Sequence, residues 1–577
     1  MELRKQIPAI ILAIMLTGCD FSTITSATPD ANMTVYLNPG DMQDFAVTVE
    51  NGEYERTDES WNITNNNASS TQYDEYFNLT EHGYSFTTQY QPDQESPGSY
   101  RVRFTRTDYY TIMRLGEGSI GFPVNTTSKT WDVIVKGIEV LPETNIAMPG
   151  ESETYEATAY PEGTYTYTWF LDDVQVATGK QIAFTPTQAQ SGLHTLKVTA
   201  TGSGGNFTYS RRLIVPTAKI DVQDGWNDND FSPGSDGNYY MAGSLTTEVD
   251  GNIAVDIDGQ VSRLDGQGQV LWSTLCGGDG YDFLLSVNPT TDGGCIAAGL
   301  SSSPSLGDTV NSGSDDGYVV KLGSTGTIMW QKLIGTAGTD GIQSIRQASD
   351  GGFIAMGASD AVLWVVKLNA SGNLVWQRTI EGARYYGGTA YFNDYPGVII
   401  ESAGAYLVAG GCTICKLNQS DGSTIWQVSS EVSDIRDFVQ AVDGGYVYAG
   451  SPFEDSSHSV KLDDSGTVVW RQAYTSETDS SFAYTIAADA GGGFVLAGRF
   501  ATQAHVDIHS VISEVRNHAM VMVLDKDGAL IRRILFKDIH SSFNEVLRIW
   551  RMTNGKYIAL YEAGATRYLV PVDINKD

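Results

Sequence analysis

The sequence predicts an all-β protein: two tandem β-sandwiches followed by a seven-bladed β-propeller that an N-terminal strand at 218–223 closes. Three observations carry that expectation. A glycine-punctuated phrase recurs seven times in the second half of the chain. Its last copy is cut short, and a spare strand waits just ahead of the first. Between 33 and 216 the chain reads as short alternating stretches bounded by turn residues, with no long helical periodicity.

The repeat has two anchors. The first is a strand entered through Asp-Gly or a similar turn, at Asp236–Gly243, Asp292–Gly299, Asp350–Gly357, Ala403–Gly410, Asp443–Gly450, Ala490–Gly498 and, weakly, Asn554–Leu560. The second is Leu-x3-Gly-x3-Trp, as Leu264/Gly268/Trp272, Leu322/Gly326/Trp330, Leu368/Gly372/Trp376 and Leu462/Gly466/Trp470. One copy carries an extra residue (Leu417/Gly422/Trp426) and one replaces the tryptophan (Leu524/Gly528/Arg532). A period of roughly 40–60 residues with several short strands per unit is the pattern of a propeller. Asp and Gly supply the hairpin turns, and each tryptophan is placed to pack on the next blade. The seventh copy lacks its Gly-x3-Trp strand. Ala218-Lys-Ile-Asp-Val-Gln223 supplies the missing strand, which leaves no open sheet edge in a domain of 217–577.

Upstream, 138–216 contains about seven alternating stretches with a central tryptophan, Tyr165-Thr-Tyr-Thr-Trp-Phe170. That pattern suits an immunoglobulin-like sandwich. Pro149-Gly150 and Gly192-Leu-His-Thr-Leu-Lys-Val198 resemble PKD-type modules of bacterial surface proteins. Residues 33–137 repeat the plan: Pro39-Gly40 matches Pro149-Gly150, Trp61 matches Trp169, and Ser99–Phe104 matches His194–Val198. Both modules are expected to act as spacers. Residues 19–32 read as a flexible tether.

The first eighteen residues form a signal segment. Arg4 and Lys5 precede an apolar run, Ile7–Met15, too short to span a bilayer, and Leu16-Thr17-Gly18-Cys19 ends it. This ending resembles the lipobox of bacterial lipoproteins, which implies lipidation of Cys19 and anchorage in the cell envelope. Asp20 resembles an inner-membrane retention signal of enterobacteria, but the membrane and leaflet stay open.

The chain has 577 residues and a formal charge of −33. Removal of residues 1–18 takes away Glu2, Arg4 and Lys5 and makes it one unit more negative. Such acidity excludes nucleic acid as a partner. Cys412-Thr-Ile-Cys415 has redox-pair spacing but lies in a strand pattern with no second pair to complete a zinc site. Cys276 and Cys295 are either a disulfide or two buried thiols.

Ligands of a propeller meet the face that carries the inter-blade loops. On it fall Trp226, Asp228, Asp230, Asp279, Asp282, Asp340, Arg384, Tyr385, Tyr386, Asp434, Asp479 and His540. The recurring aspartates either ring the channel mouth or cap turns through their own backbone. Two long insertions stand out, 301–316 and 499–519. The second carries His505, His509 and His518, whose spacing is a weak zinc signal without the His-Glu-x-x-His that would supply a general base. Asp221, Asp224, Asp228 and Asp230, and Asp525-Lys-Asp527-Gly528, fall short of a calcium loop. No nucleophile elbow and no phosphate loop occur. Leu462-Asp-Asp-Ser-Gly-Thr-Val-Val-Trp470 is similar to the Asp-box of sialidase propellers, with different spacing and no arginine triad in the repeat.

Val-Lys-Leu-x-x-x-Gly-x-x-x-Trp with Asp-Gly-Gly resembles the secreted or lipid-anchored bacterial propellers and the quinoprotein propellers, a group that includes the lipoprotein of the outer-membrane β-barrel assembly machine. The dehydrogenases' vicinal disulfide and calcium ligands are not visible, and no cofactor is expected. The expected function is non-enzymatic: a membrane-anchored module whose propeller face binds a protein or glycan. The alternatives are a scaffold in envelope assembly and a polysaccharide hydrolase or lyase using the acidic channel mouth.

Overall fold

A computed structural model describes strand backbones between 23 and 135, and from 136 onward most side chains as well. Residues 1–22, 221–225, 249–254, 385–397, 451–456, 475–478, 504–514 and 537–543 and some shorter stretches lie outside the described residues. Cys19 and the signal segment are among them. The regular elements of the described chain are all β-strands apart from one 3-10 turn, Gln188–Gln190.

Seven four-stranded antiparallel sheets follow one another between 218 and 572 among the described residues. The first is built from Trp226–Pro233, Tyr239–Glu248, Val255–Leu264 and Val270–Cys276. The next five repeat this order, each beginning with the strand Asp282–Pro289, Asp340–Gln347, Val398–Ser402, Ile435–Gln440 or Asp479–Ala488. The seventh contains Asn544–Arg551, Tyr557–Ala563 and Thr566–Val572, and its fourth strand is Ala218–Ile220, in register with Arg567–Leu569. The first and seventh sheets share one core, in which Ala218, Ile220 and Leu569 pack with Phe231, Met241 and Leu264.

Burial follows position within each sheet. In the second sheet, Cys295–Ser301 and Asp316–Leu322 are buried at every residue, so both faces are covered by neighbouring sheets. The outer strand Ile328–Ile334 is far more exposed. Its tryptophan is the packing device. Trp272, Trp330, Trp376, Trp426 and Trp470 each lie against the turn glycine of the following sheet: Gly326, Gly372, Gly422, Gly466 and Gly528. At Gly372 the fit admits no side chain: φ is +79°, and a Cβ would lie 2.8 Å from the Trp330 ring. Gly268 meets no tryptophan. It lies against Ala218 and the Lys219 carbonyl, so the strand 218–220 occupies the place of a tryptophan strand.

The recurring Asp-Gly-Gly and Val-Lys-Leu phrases are joined by ion pairs. Lys321 reaches Asp292 at 2.9 Å, Lys367 reaches Asp350 at 2.8 Å, and Lys461 reaches Asp443 at 2.6 Å. Arg263 pairs with Asp236 in the same way. The lysines are buried while their aspartates stay about half exposed.

Ahead of these sheets, Gly137–Val215 forms a three-stranded and a four-stranded sheet around one core centred on fully buried Trp169. Residues 23–135 form a four-stranded and a five-stranded sheet. In both regions the tryptophan strand pairs with the strand matched to it by sequence: Trp169 faces Val198 and Trp61 faces Phe104. Thr23–Thr28, which falls in the expected tether, is a strand paired with Gln43–Glu50. Its β-branched Thr-Ile-Thr run favours extended backbone despite its polar composition. The 138–216 region packs directly on the seventh sheet: Ile146, Leu193 and Ile214 join the core of Val546, Tyr561 and Val570.

Candidate functional site: the central channel

The first strands of the seven sheets face one cavity of about 350 Å³. A single structural rule places its polar side chains. In six of the seven first strands the pairing register slips by one residue, and the residue after the slip is Asp230, Ser286, Ser344, Asp437, Thr485 or Arg548. All six line the cavity. A bulge twists the strand and re-aims the side chain that follows it.

Four of the six lace one sheet to the next. Asp230 Oδ2 accepts the Val287 N–H at 2.9 Å, and Asp437 Oδ2 accepts that of Ile486 at 3.0 Å. Ser286 Oγ accepts the Ile345 N–H at 3.3 Å and Thr485 Oγ1 that of Ile549 at 3.4 Å. The remaining oxygens of the carboxylates are also engaged: Asp230 Oδ1 accepts the Phe231 N–H at 2.9 Å and Asp437 Oδ1 that of Phe438 at 2.8 Å. Burial pushes both carboxyls above the usual range, opposed by Arg548 and by these amides.

Three arginines share the cavity with the two aspartates: Arg346, Arg436 and Arg548. Arg548 approaches Asp230 at 3.9 Å. Arg436 lies over the Tyr484 ring at 5.5 Å. Burial lowers the pKa of Arg346 against the fields of Asp437, Asp230 and Glu401. No carboxylate among the described residues lies within ion-pair distance of it.

A second cluster lies at the start of the seventh sheet. Glu545 faces Glu562, and Glu562 faces Arg567, on adjacent strands. Arg567 Nε donates to Glu562 at 2.6 Å. Burial, then the charge of Glu545, raise Glu562 to about 7. Tyr484 hydrogen-bonds Glu545.

Of the residues assigned to the ligand face by sequence whose side chains are described, Asp230 alone lines the cavity. Asp282 and Asp340 are fully buried and hold the loops before them, accepting the Gly278 N–H at 2.8 Å and the Thr336 N–H at 2.6 Å. Asp279 is exposed in its loop. Trp226, Asp228, Arg384 and Asp479 lie on strands whose side chains are not described there, and Tyr385, Tyr386, Asp434 and His540 lie outside the described residues. His505 and His509 also lie outside, while His518 is buried on Val515–Leu524. No cluster of three metal-ligating side chains occurs among the described residues. The four described cysteines are free thiols. Cys276 and Cys295 share one core, where burial raises both and holds Cys295 at about 12.

Sequence reasoning missed Arg346, Arg436, Asp437 and Arg548. For Asp437 and Arg548 the signal was present: Asp230, Ser286, Ser344, Asp437 and Arg548 each stand six residues before the turn residues Asp236, Asp292, Asp350, Asp443 and Asn554.

The sheets and the repeat define a β-propeller protein. A family model described as outer membrane protein assembly factor BamB matches residues 315–510, about a third of the chain. No curated protein matches by sequence. Among solved structures, the chain is similar to the WD40 β-propeller domain of Doa1 (19% identity, 61% of this chain and 95% of that one, TM-score 0.39). It is also similar to Sqt1 of Chaetomium thermophilum, solved bound to the N-terminus of ribosomal protein L10 (13%, 62% and 99%, TM-score 0.38). A quinoprotein alcohol dehydrogenase-like protein of Bacteroides thetaiotaomicron matches at 10% identity, over 58% of this chain and 96% of that one, with TM-score 0.25. No helix among the described residues is long and apolar enough to cross a membrane.

Proposed function

We propose that this protein is a lipid-anchored recognition module of the bacterial cell envelope. Cys19 carries the lipid, and two immunoglobulin-like sandwiches, 33–137 and 138–216, lift a seven-bladed propeller (217–577) off the membrane. The propeller is one ring closed by 218–220, and its channel and loop-bearing face bind a protein or glycan. The observation that supports this reading most is the hub itself: six polar bulge positions, Arg548 among them, and two further arginines converge on one cavity. The family match also favours an envelope assembly partner, since the matched model is described as an outer membrane assembly factor.

The test is capture from envelope extract, and glycan-array binding, by the mature protein, with Arg436→Ala and Arg548→Ala variants alongside. Retention of a defined protein or glycan by the wild type and its loss from the variants supports the reading. Equal retention by all three overturns it.

The paired carboxyls favour a second, enzymatic reading, action on envelope polysaccharide. Burial and the neighbouring Glu545 charge raise Glu562 to about 7, the range that general acid–base chemistry uses. Release of reducing ends or unsaturated sugars, lost in Glu562→Gln, would favour it over binding alone.

A further inference from the structure

We propose that the central channel binds a small hydroxycarboxylate of the sugar-acid type, its carboxylate seated on Arg346 and a hydroxyl donated to Gln343. The proposal rests on the reading of the channel as the recognition site and names the ligand class.

The cavity is lined by three arginines and two aspartates, so a protein of net charge −33 carries a local formal excess of one positive charge at its hub. One bound monoanion neutralises it, whereas a phosphate dianion overshoots.

Both aspartates already accept hydrogen bonds from backbone amides, and among the described residues neither lies within ion-pair distance of Arg346. Asp230 accepts from Phe231 and Val287, and Asp437 accepts from Phe438, Ile486 and the Thr485 hydroxyl at 2.8 Å. Half-buried Arg346 thus lines the cavity without a bonded carboxylate among the described residues, and its planar fork matches one.

A separate observation specifies the hydroxyl. Gln343, 4% exposed, lines the same cavity from the same strand as Arg346. Its Oε1 is buried without a hydrogen-bond partner. An unsatisfied buried acceptor requires a donor, which a bare carboxylate lacks and a hydroxy acid supplies. Asn288, Gln440, Ser232 and Ser344 add further polar groups, and the cavity volume lies at the small end of small-molecule sites.

The test is calorimetric titration of the full mature protein with galacturonate, galactose, acetate and inorganic phosphate. Galacturonate is expected to bind one to one, at least about tenfold more tightly than galactose or acetate, since a charge-assisted hydrogen bond is worth that much or more. Arg346→Gln is expected to remove the preference for the acid over the neutral sugar. Gln343→Leu is expected to bring galacturonate down to the level of acetate. If Arg346→Gln fails to fold, the four-probe comparison on the wild type still decides. Equal affinity for galacturonate and galactose, no binding of either, or tighter binding of phosphate overturns the proposal. Envelope capture that survives while galacturonate fails to bind leaves the recognition reading standing and removes this one.

Discussion

At the scale of single residues, the Lys-Asp pairs do most to explain why the repeat keeps its phrase. Lys367 is 3% exposed, so its ammonium depends on Asp350 across the sheet for its counterion. Asp350→Ala strands that charge in the core, and the expected cost is about 2 kcal/mol, within the range for leaving a buried polar or charged group unpaired; chemical denaturation measures it. Asp350→Asn should cost less, because the amide still accepts a hydrogen bond. The same pairs set an acid limit. Burial raises Asp292, but the Thr290 hydroxyl and the Lys321 ammonium outweigh it and hold the carboxyl at about 2. A depressed carboxyl stabilises the fold above its unfolded pKa of about 3.9 and loses that contribution as pH falls towards its folded value. Asp350, Asp443 and Asp236 are depressed in the same direction. Thermal melts should therefore fall steeply between about pH 4 and 2, and Asp292→Asn should flatten that slope. A melting temperature independent of pH in this window would contradict the assignment.

At the scale of elements, the tryptophan strands and turn glycines act as one joint repeated around the molecule. Gly372 is its tightest test, because alanine there is opposed both by φ of +79° and by the Trp330 ring at 2.8 Å. Gly372→Ala should cost about 1–3 kcal/mol, and Trp330→Ala in the same chain should relieve part of that cost. A double-mutant cycle with no coupling would separate the two residues. This joint was legible in the sequence because its grammar is local: Gly and Trp stand at fixed spacing within one copy. The hub was less legible. Asp230, Asp437, Arg346 and Arg548 belong to four different copies, and their side-chain directions depend on a register slip that has no composition of its own. Reading the strand as an unbroken alternation puts these residues on the wrong face, because one extra residue reverses every side chain after it. The recurring loop aspartates show the opposite limit. Turn capping, weighed from sequence against a ligand role, is the geometry of Asp282 and Asp340, and neither opens to the channel.

At the scale of the whole molecule, the channel depends on a closed ring. A propeller whose last sheet is completed by Ala218–Ile220 has its first and last sheets locked together by a strand from the beginning of the domain. The preceding 138–216 region is then tied to the same joint: Gln188 Nε2 donates to the Thr217 carbonyl at 2.9 Å and the Thr217 N–H to that of Leu569 at 2.7 Å. The enclosed channel, and with it every functional inference drawn from the hub, exists only if that closure holds. The direct measurement is an engineered cross-link, Ala218→Cys with Leu569→Cys, in a Cys412→Ser background, since these two residues face each other across the pair. On mild oxidation the variant should form an intramolecular disulfide in high yield and gain about 3 kcal/mol of stability or more over its own reduced form, as expected for closing so long a loop. Thiols at 218 and 569 that stay reduced and freely reactive, with unchanged stability, would contradict the closed ring.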